Sequence, residues 1–179
     1  YARTRTLTVQ RNAQQWYRFI GEQDIPLDQL DVIIMRKDPP FDQEYIYATY
    51  LLERAESMGV YVVNKPQSLR DANEKLFTAW FPQCCAETLV AREPARIRSF
   101  LHEQGEIILK PLDGMGGASI FHLRKDDPNL SVILETMTRY NRRYVMAQKY
   151  IPEIKDGDKR ILMINGEAVP YALARIPAQ

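Results

Sequence analysis

The sequence predicts an α/β fold that passes into an α+β layer, and three features carry that prediction. Asp31-Val-Ile-Ile-Met-Arg36 is a near-continuous apolar run of strand length, followed by a helix-spaced segment and a second short apolar run at 60–63. Strand, helix, strand is a βαβ unit, and a buried parallel strand reads as an unbroken apolar run. In the second half, Asn165-Gly166 separates two apolar segments, the strongest short-range hairpin signal. Between these, Ile107-Ile-Leu-Lys110 runs into Pro-Leu-Asp-Gly114-Met-Gly116-Gly117-Ala-Ser119 and out through Ile-Phe121. That order predicts two strands joined by a glycine-rich loop.

The elements follow in order. Residues 4–10 alternate and are rich in β-branched types, so they predict a strand; 16–20 suit a second strand or a helical turn. The run 31–36 stops at Lys37-Asp-Pro-Pro40. Residues 41–58 have helical spacing, with Ile46, Tyr50, Leu51 and Ala55 on one face, Asp42 placed to cap and Gly59 to terminate. Ser68-Leu-Arg-Asp71 has the form of a capping box and predicts a helix to about Trp80. Pro82 to Ala86 breaks the pattern and is a candidate domain boundary. A strand at 87–91, a helix at 94–104 and the strand bearing Lys110 come next. Asp127-Pro128 suits the cap and first position of a helix to about Tyr140, and 143–151 alternates as a strand. The segments 159–164 and 168–174 form the final hairpin.

Composition excludes several classes. With 24 Lys and Arg against 23 Asp and Glu, the net charge of +1 lacks the basic excess of a nucleic-acid groove. No apolar run approaches the ~20 residues that span a bilayer, and the start has no apolar core of a secretory signal. The chain starts without Met and stops in what reads as a strand edge, so both ends are expected to be cuts through a longer protein. Cys84 and Cys85 are adjacent, a poor geometry for a bridge, which fits a reducing cytoplasm. His102 and His122 stand apart from both, so zinc is not expected, and any metal would be a hard cation held by oxygens.

Lys110 with Gly114, Gly116 and Gly117 forms the sharpest constellation. Glycine lets backbone N–H groups approach an anion, and a lysine at the loop mouth adds a charge suited to phosphate. The lysine precedes the loop and a strand follows it, so this is neither a Walker A loop nor a dinucleotide fingerprint. A wide turn that needs glycine for its backbone alone is the alternative. The strand end Gln148-Lys149-Tyr150-Ile151-Pro152 exposes backbone groups that could read an adenine edge, or is an ordinary strand end. Asp158 and Arg160 share a strand face, and an arginine there could stabilise charge on a transferring phosphoryl group, or belong to a solvated strand start. Arg36, where the parallel strand ends, could pair with a substrate carboxylate or simply decorate a loop. Lys75 and Arg175 read by default as surface cations.

Taken together, Met35-Arg-Lys-Asp-Pro-Pro40, Asn64-Lys-Pro-Gln-Ser-Leu-Arg-Asp71, Asn73-Glu-Lys-Leu76, the string from Ile108 to Ile120, Ala147-Gln148, Ile154-Lys-Asp-Gly-Asp-Lys-Arg160 and Leu173-Ala-Arg-Ile-Pro177 resemble the ATP-grasp carboxylate–amine ligases, and among them the prokaryotic glutathione synthetases. The resemblance covers nearly the whole chain. It implies a partial N-terminal parallel α/β domain over 1–73 and an ATP-grasp region over 74–179, truncated at both ends. It implies ATP- and Mg²⁺-dependent ligation of γ-glutamylcysteine to glycine through an acyl phosphate, in the cytoplasm. By the same resemblance, Lys75 and Lys110 contact the phosphates of ATP, and Gly114, Met115, Gly116, Gly117, Ala118 and Ser119 form a loop closing over them. Gln148, Lys149, Tyr150 and Ile151 frame the adenine, with the backbone of Lys149 and Ile151 reading its edge. Asp158 meets the ribose or nearby polar groups, Arg160 near the transferring phosphoryl and Lys110 serve catalysis, and Arg175 lies close to substrate or product; Arg36 keeps its strand-end reading as a substrate-carboxylate partner. The family's metal ligands are expected beyond the C-terminus of this chain, so none is named and the 179 residues alone are expected not to complete the reaction. Family members commonly form oligomers, which makes a homo-oligomer the implied assembly. The rival readings are another ATP-grasp carboxylate–amine ligase and a non-catalytic nucleotide-binding module.

Overall fold

The computed structural model describes residues 1–176, so Pro177 of the last resemblance string lies outside the described residues. The chain divides into two compact units: Tyr1–Phe77 with Asp113–Ala118, and Thr78–Leu112 with the residues from Ser119 onward.

The first unit opens with an antiparallel hairpin of β1 (Ala2–Val9) and β2 (Tyr17–Ile25). Arg3 and Arg5 both reach the Glu22 carboxylate across it, at 2.5 and 3.2 Å. The segment 16–20 is therefore strand rather than helical turn. β3 (Val32–Ile34) pairs in parallel with β4 (Tyr61–Val63), and α1 (Gln43–Ser57) crosses between them, the expected βαβ unit. The expected burial of β3 fails, because Val32 and Ile34 are 52% and 64% exposed. Alternation turns Ile33 and Val62 to the other face of the pair, where Val62 is buried and Ile33 half-buried.

Asp42 caps α1, its carboxylate accepting the Tyr45 N–H at 2.9 Å, and Gly59 ends it at φ 97°. Of the four residues expected on the apolar face, Ala55 is buried and Ile46 half-buried, but the other two are not covered. Tyr50 and Leu51 are exposed, whereas Thr49 and Ala55 are buried with Tyr45 and Leu52 half-buried beside them. The reason lies in α2 (Pro66–Asp71), whose Arg70 donates to the Thr49 hydroxyl at 3.0 Å and to Glu53 at 2.7 Å, fixing which stripe of α1 is covered. The predicted helix to Trp80 is also corrected. Pro66 opens α2, Ser68 lies inside it, and the helix stops at Asp71. The Asn73 side chain then accepts the N–H groups of Lys75 and Leu76 at 3.1 and 2.9 Å, taking donors a continuing helix would need. A 3₁₀ turn over Leu76–Trp80 follows.

The second unit is built on an antiparallel sheet in the order β5 (Thr88–Ala91), β8 (Val145–Lys149), β6 (Glu106–Pro111), β7 (Phe121–Arg124). The expected break at Pro82 is a 3₁₀ turn, Pro82–Cys84, inside this unit. α3 (Pro94–Gln104) has the predicted bounds, set by Pro94 in its first turn and by Gly105 at φ 83°. α4 (Leu130–Thr138) starts later than predicted. Asp127 spends its carboxylate on the Asn129 N–H and its carbonyl on that of Leu130, making a turn before the helix. Both helices share one core with the sheet, in which Ile97, Leu101, Leu134, Ile107, Leu109, Leu123 and Val145 are at most 1% exposed. Leu134→Ala is expected to cost about 2–5 kcal/mol, by lost transfer energy and a residual cavity. Val132→Ala, at a 63% exposed position of the same helix, should change little; denaturant midpoints of the two variants test the contrast.

β9 (Asp158–Ile164) and β10 (Glu167–Arg175) form the last hairpin. Asn165 and Gly166 sit at φ 51° and 84°, the paired left-handed geometry of a two-residue turn. At its open end Gly157 packs so close to the backbone that a Cβ would lie 2.5 Å from the Arg175 carbonyl oxygen.

Candidate functional site

Strand alternation decides where the site of the second unit lies. Ile107 and Leu109 face the helices, so Ile108 and Lys110 face the opposite side of the sheet. The registers place Thr88, Gln148, Ile108 and His122 in one row across that side. Lys110 Nζ donates to Gln148 Oε1 at 2.6 Å, Gln148 Nε2 donates to Thr88 Oγ1 at 2.8 Å, and Thr88 Oγ1 donates to the Ala86 carbonyl at 2.7 Å. Each hydroxyl and amide group in this chain plays the role its chemistry allows, which fixes the amide orientation and steers the ammonium. Gln148, expected to frame the base, thus spends its side chain on Lys110.

At the end of β8, Lys149 gives its N–H to the Glu87 carbonyl at 2.9 Å, and Tyr150 gives its own to the Glu106 carbonyl at 3.0 Å, on the other side. Alternation then turns the Lys149 carbonyl and the Ile151 N–H to the side of Glu87. These two groups form an acceptor–donor pair separated by one residue. Of the expected backbone contacts from Lys149, the carbonyl is therefore the one suited to a ligand.

In the first unit the glycine loop turns on Gly116 and Gly117 at φ 67° and 79°. A Cβ at either would meet nothing within 4 Å, so the glycines serve the left-handed backbone here rather than relieve crowding. Ser119, the first residue past this stretch, is also left-handed at φ 57°. Lys75 Nζ donates to the Gly114 carbonyl and to Glu74 Oε1, the latter at 2.9 Å. Lys75 and the loop, 39 residues apart in sequence, are thus brought together. Arg36 is exposed just past β3 in this unit.

Asp158 and Arg175, expected at ribose and substrate, are paired with each other. The carboxylate takes Arg175 Nε at 2.7 Å and Nη2 on its second oxygen. This bidentate bond, with the charge of Arg175 and then of Arg160, holds the Asp158 pKa below its usual value and raises that of Arg175. A depressed carboxylate pKa contributes stability that is present above the ordinary aspartate range and lost as pH falls through the depressed value. Acid titration of the unfolding midpoint below about pH 4 should therefore fall more steeply in the native protein than in Asp158→Asn, and high salt should shrink the difference.

Three participants went unseen in the sequence: Thr88, Glu106 and His122. Their partners lie across strands, and only the register identifies them. His122 Nε2 meets Glu106 Oε2 at 2.6 Å, and Arg124 Nε is 3.4 Å from the same carboxylate. The His122 bond is the main cause that lowers the Glu106 pKa.

A four-stranded antiparallel sheet backed by two helices, with a lysine strand entering a glycine loop, belongs to the ATP-grasp class of folds. The chain is similar to D-cycloserine synthetase DcsG, with a TM-score of 0.65 at 14% identity over 87% of this chain and 62% of that one. It is also similar to the ATP-grasp ligase PsnB, solved with a precursor peptide and AMPPNP, with a TM-score of 0.53 at 18% identity over 96% and 59%. The family model for the prokaryotic glutathione synthetase N-terminal domain matches residues 1–70, and that for the prokaryotic glutathione synthetase ATP-grasp domain matches 74–179. The chain belongs to the prokaryotic glutathione synthetase family. The glutathione synthetase of Photorhabdus laumondii is 65% identical over 178 residues, covering 99% of this chain and 56% of that protein. That of Escherichia coli K12 is 64% identical over 176 residues, covering 98% and 56%. The chain thus spans about half the length of the curated relatives it matches.

Proposed function

We propose that the protein is an ATP-dependent ligase that joins γ-glutamylcysteine to glycine, with residues 1–73 belonging to a substrate domain and 74–179 to the ATP-grasp domain. The observation that carries this reading is the Lys110–Gln148–Thr88 chain, which orients a cation on the strand leading into the glycine loop. Lys110 and Lys75 bind the phosphates, and the backbone from Gly114 to Ser119 closes over them. The Lys149 carbonyl accepts from the adenine amino group and the Ile151 N–H donates to the ring nitrogen beside it, with Gln148 and Tyr150 flanking. Arg160 stabilises charge as the γ-phosphoryl moves to the cysteinyl carboxylate and ADP leaves. The glycine amine then attacks the acyl carbon, phosphate leaves with the C–O bond pair, and the amine proton passes to solvent. On the same reading Asp158, bonded to Arg175, meets the ribose or nearby polar groups, Arg36 pairs with a substrate carboxylate, and Arg175 lies close to substrate or product.

Family members work with Mg²⁺. Among the described residues no group of three or more His, Cys, Asp or Glu is placed to hold a metal, so none is assigned to it. No helix among them is long and apolar enough to cross a membrane. The free thiols of Cys84 and Cys85 fit a reducing cytoplasm.

Release of ADP by the intact protein, measured against a panel of carboxylates and amines, tests the assignment. Turnover that requires γ-glutamylcysteine and glycine together supports it. Preference for another pair would make the protein a ligase of different specificity, and nucleotide binding without turnover would make it a binding module.

A further inference from the structure

Beyond the groups that touch the nucleotide, we propose that His122 is a positioning residue that sets the adenine-reading edge through Tyr150. The inference rests on the adenine reading of Lys149 and Ile151 given above. Tyr150 is the one residue between these two backbone groups, so its backbone angles fix the distance and angle between acceptor and donor. Its main chain is pinned by the bond to the Glu106 carbonyl at 3.0 Å. Its ring lies flat on the His122 imidazole, with centroids 3.9 Å apart and planes 23° from parallel.

The imidazole is itself held, because Nε2 bonds Glu106 Oε2 at 2.6 Å while Arg124 Nε lies 3.4 Å from the same oxygen. Glu106 thus grips the unit twice, through its carbonyl to Tyr150 and through its carboxylate to His122. These residues come from β6, β7 and the position just past β8, and border a polar cavity of about 440 Å³ that also meets Gln104, Lys149 and Lys155. Such a recess leaves room for the Tyr150 ring to swing once the imidazole is gone. A group fixed by a stacked ring and a charge-assisted hydrogen bond presents a preorganised edge, and ligands bind more tightly to an edge that need not be ordered.

The test compares the intact native protein with His122→Ala and His122→Phe, using ATP and purine riboside triphosphate, which lacks the 6-amino group read by the Lys149 carbonyl. His122→Ala is expected to raise the KM for ATP by about three- to ten-fold, the range of one aromatic contact, with kcat unchanged. It should raise the KM for the purine analogue less, narrowing the native preference. His122→Phe, which keeps the stack, should restore most of that preference. Equal KM increases for both triphosphates, or none, would overturn the inference, as would a loss in kcat alone. A native protein that does not prefer ATP to the analogue would instead remove the adenine reading beneath it.

Discussion

Lys110→Ala is expected to lower kcat/KM for ATP by about 10²–10³, the usual effect of removing one preorganised charge from a polyphosphate site, or about 3–4 kcal/mol. The fold should survive, because Lys110 is half-buried and lies on the sheet face away from the helices. The hydrogen bond to Gln148 is lost, at a cost of about 1 kcal/mol in stability. Lys110→Arg tests the geometry as well as the charge. A planar guanidinium cannot occupy the point position that the Gln148 amide oxygen defines, so rescue should be incomplete. Unchanged nucleotide affinity in Lys110→Ala, with a normal unfolding midpoint, would reduce the glycine loop to a turn and remove the basis of the proposed function.

Arg160→Ala should act differently. Arg160 lies two residues along β9 from Asp158 and opposite Leu173, on the face where Asp158 and Arg175 meet. A cation that meets charge developing on the moving phosphoryl group is felt in the transition state more than in the ground state. The expected result is a fall in kcat of about 10²–10³ with little change in the KM for ATP. The Asp158–Arg175 pair does not depend on it and should persist. A rise in KM with kcat intact would assign Arg160 to ground-state binding instead.

The elements legible in the sequence are those whose signals are local. Pro94 and Gly105 bracket α3, and Asn165-Gly166 builds its turn from its own two residues. Where a distant residue decides, sequence reading fails. Arg70 selects the covered stripe of α1 from 21 residues away, and the Asn73 side chain halts a helix that periodicity alone would continue. The site divides in the same way. Lys110 and its glycines lie close together in sequence and are legible there. The bond from Lys110 to Gln148 spans 38 residues, and that from His122 to Glu106 spans 16, both set by strand register. A one-residue slip would place every partner on the wrong face.

Lys75 has a second effect that its charge alone does not suggest. Its ammonium is shared between the carboxylate of Glu74 and the carbonyl of Gly114, so the glycine stretch is moored at its first residue to the segment just before Leu76. On the proposed reading, a polyphosphate that drew this ammonium away from the Gly114 carbonyl would also loosen the mooring of the stretch. Binding of the tail and release of the loop would then be coupled through one nitrogen.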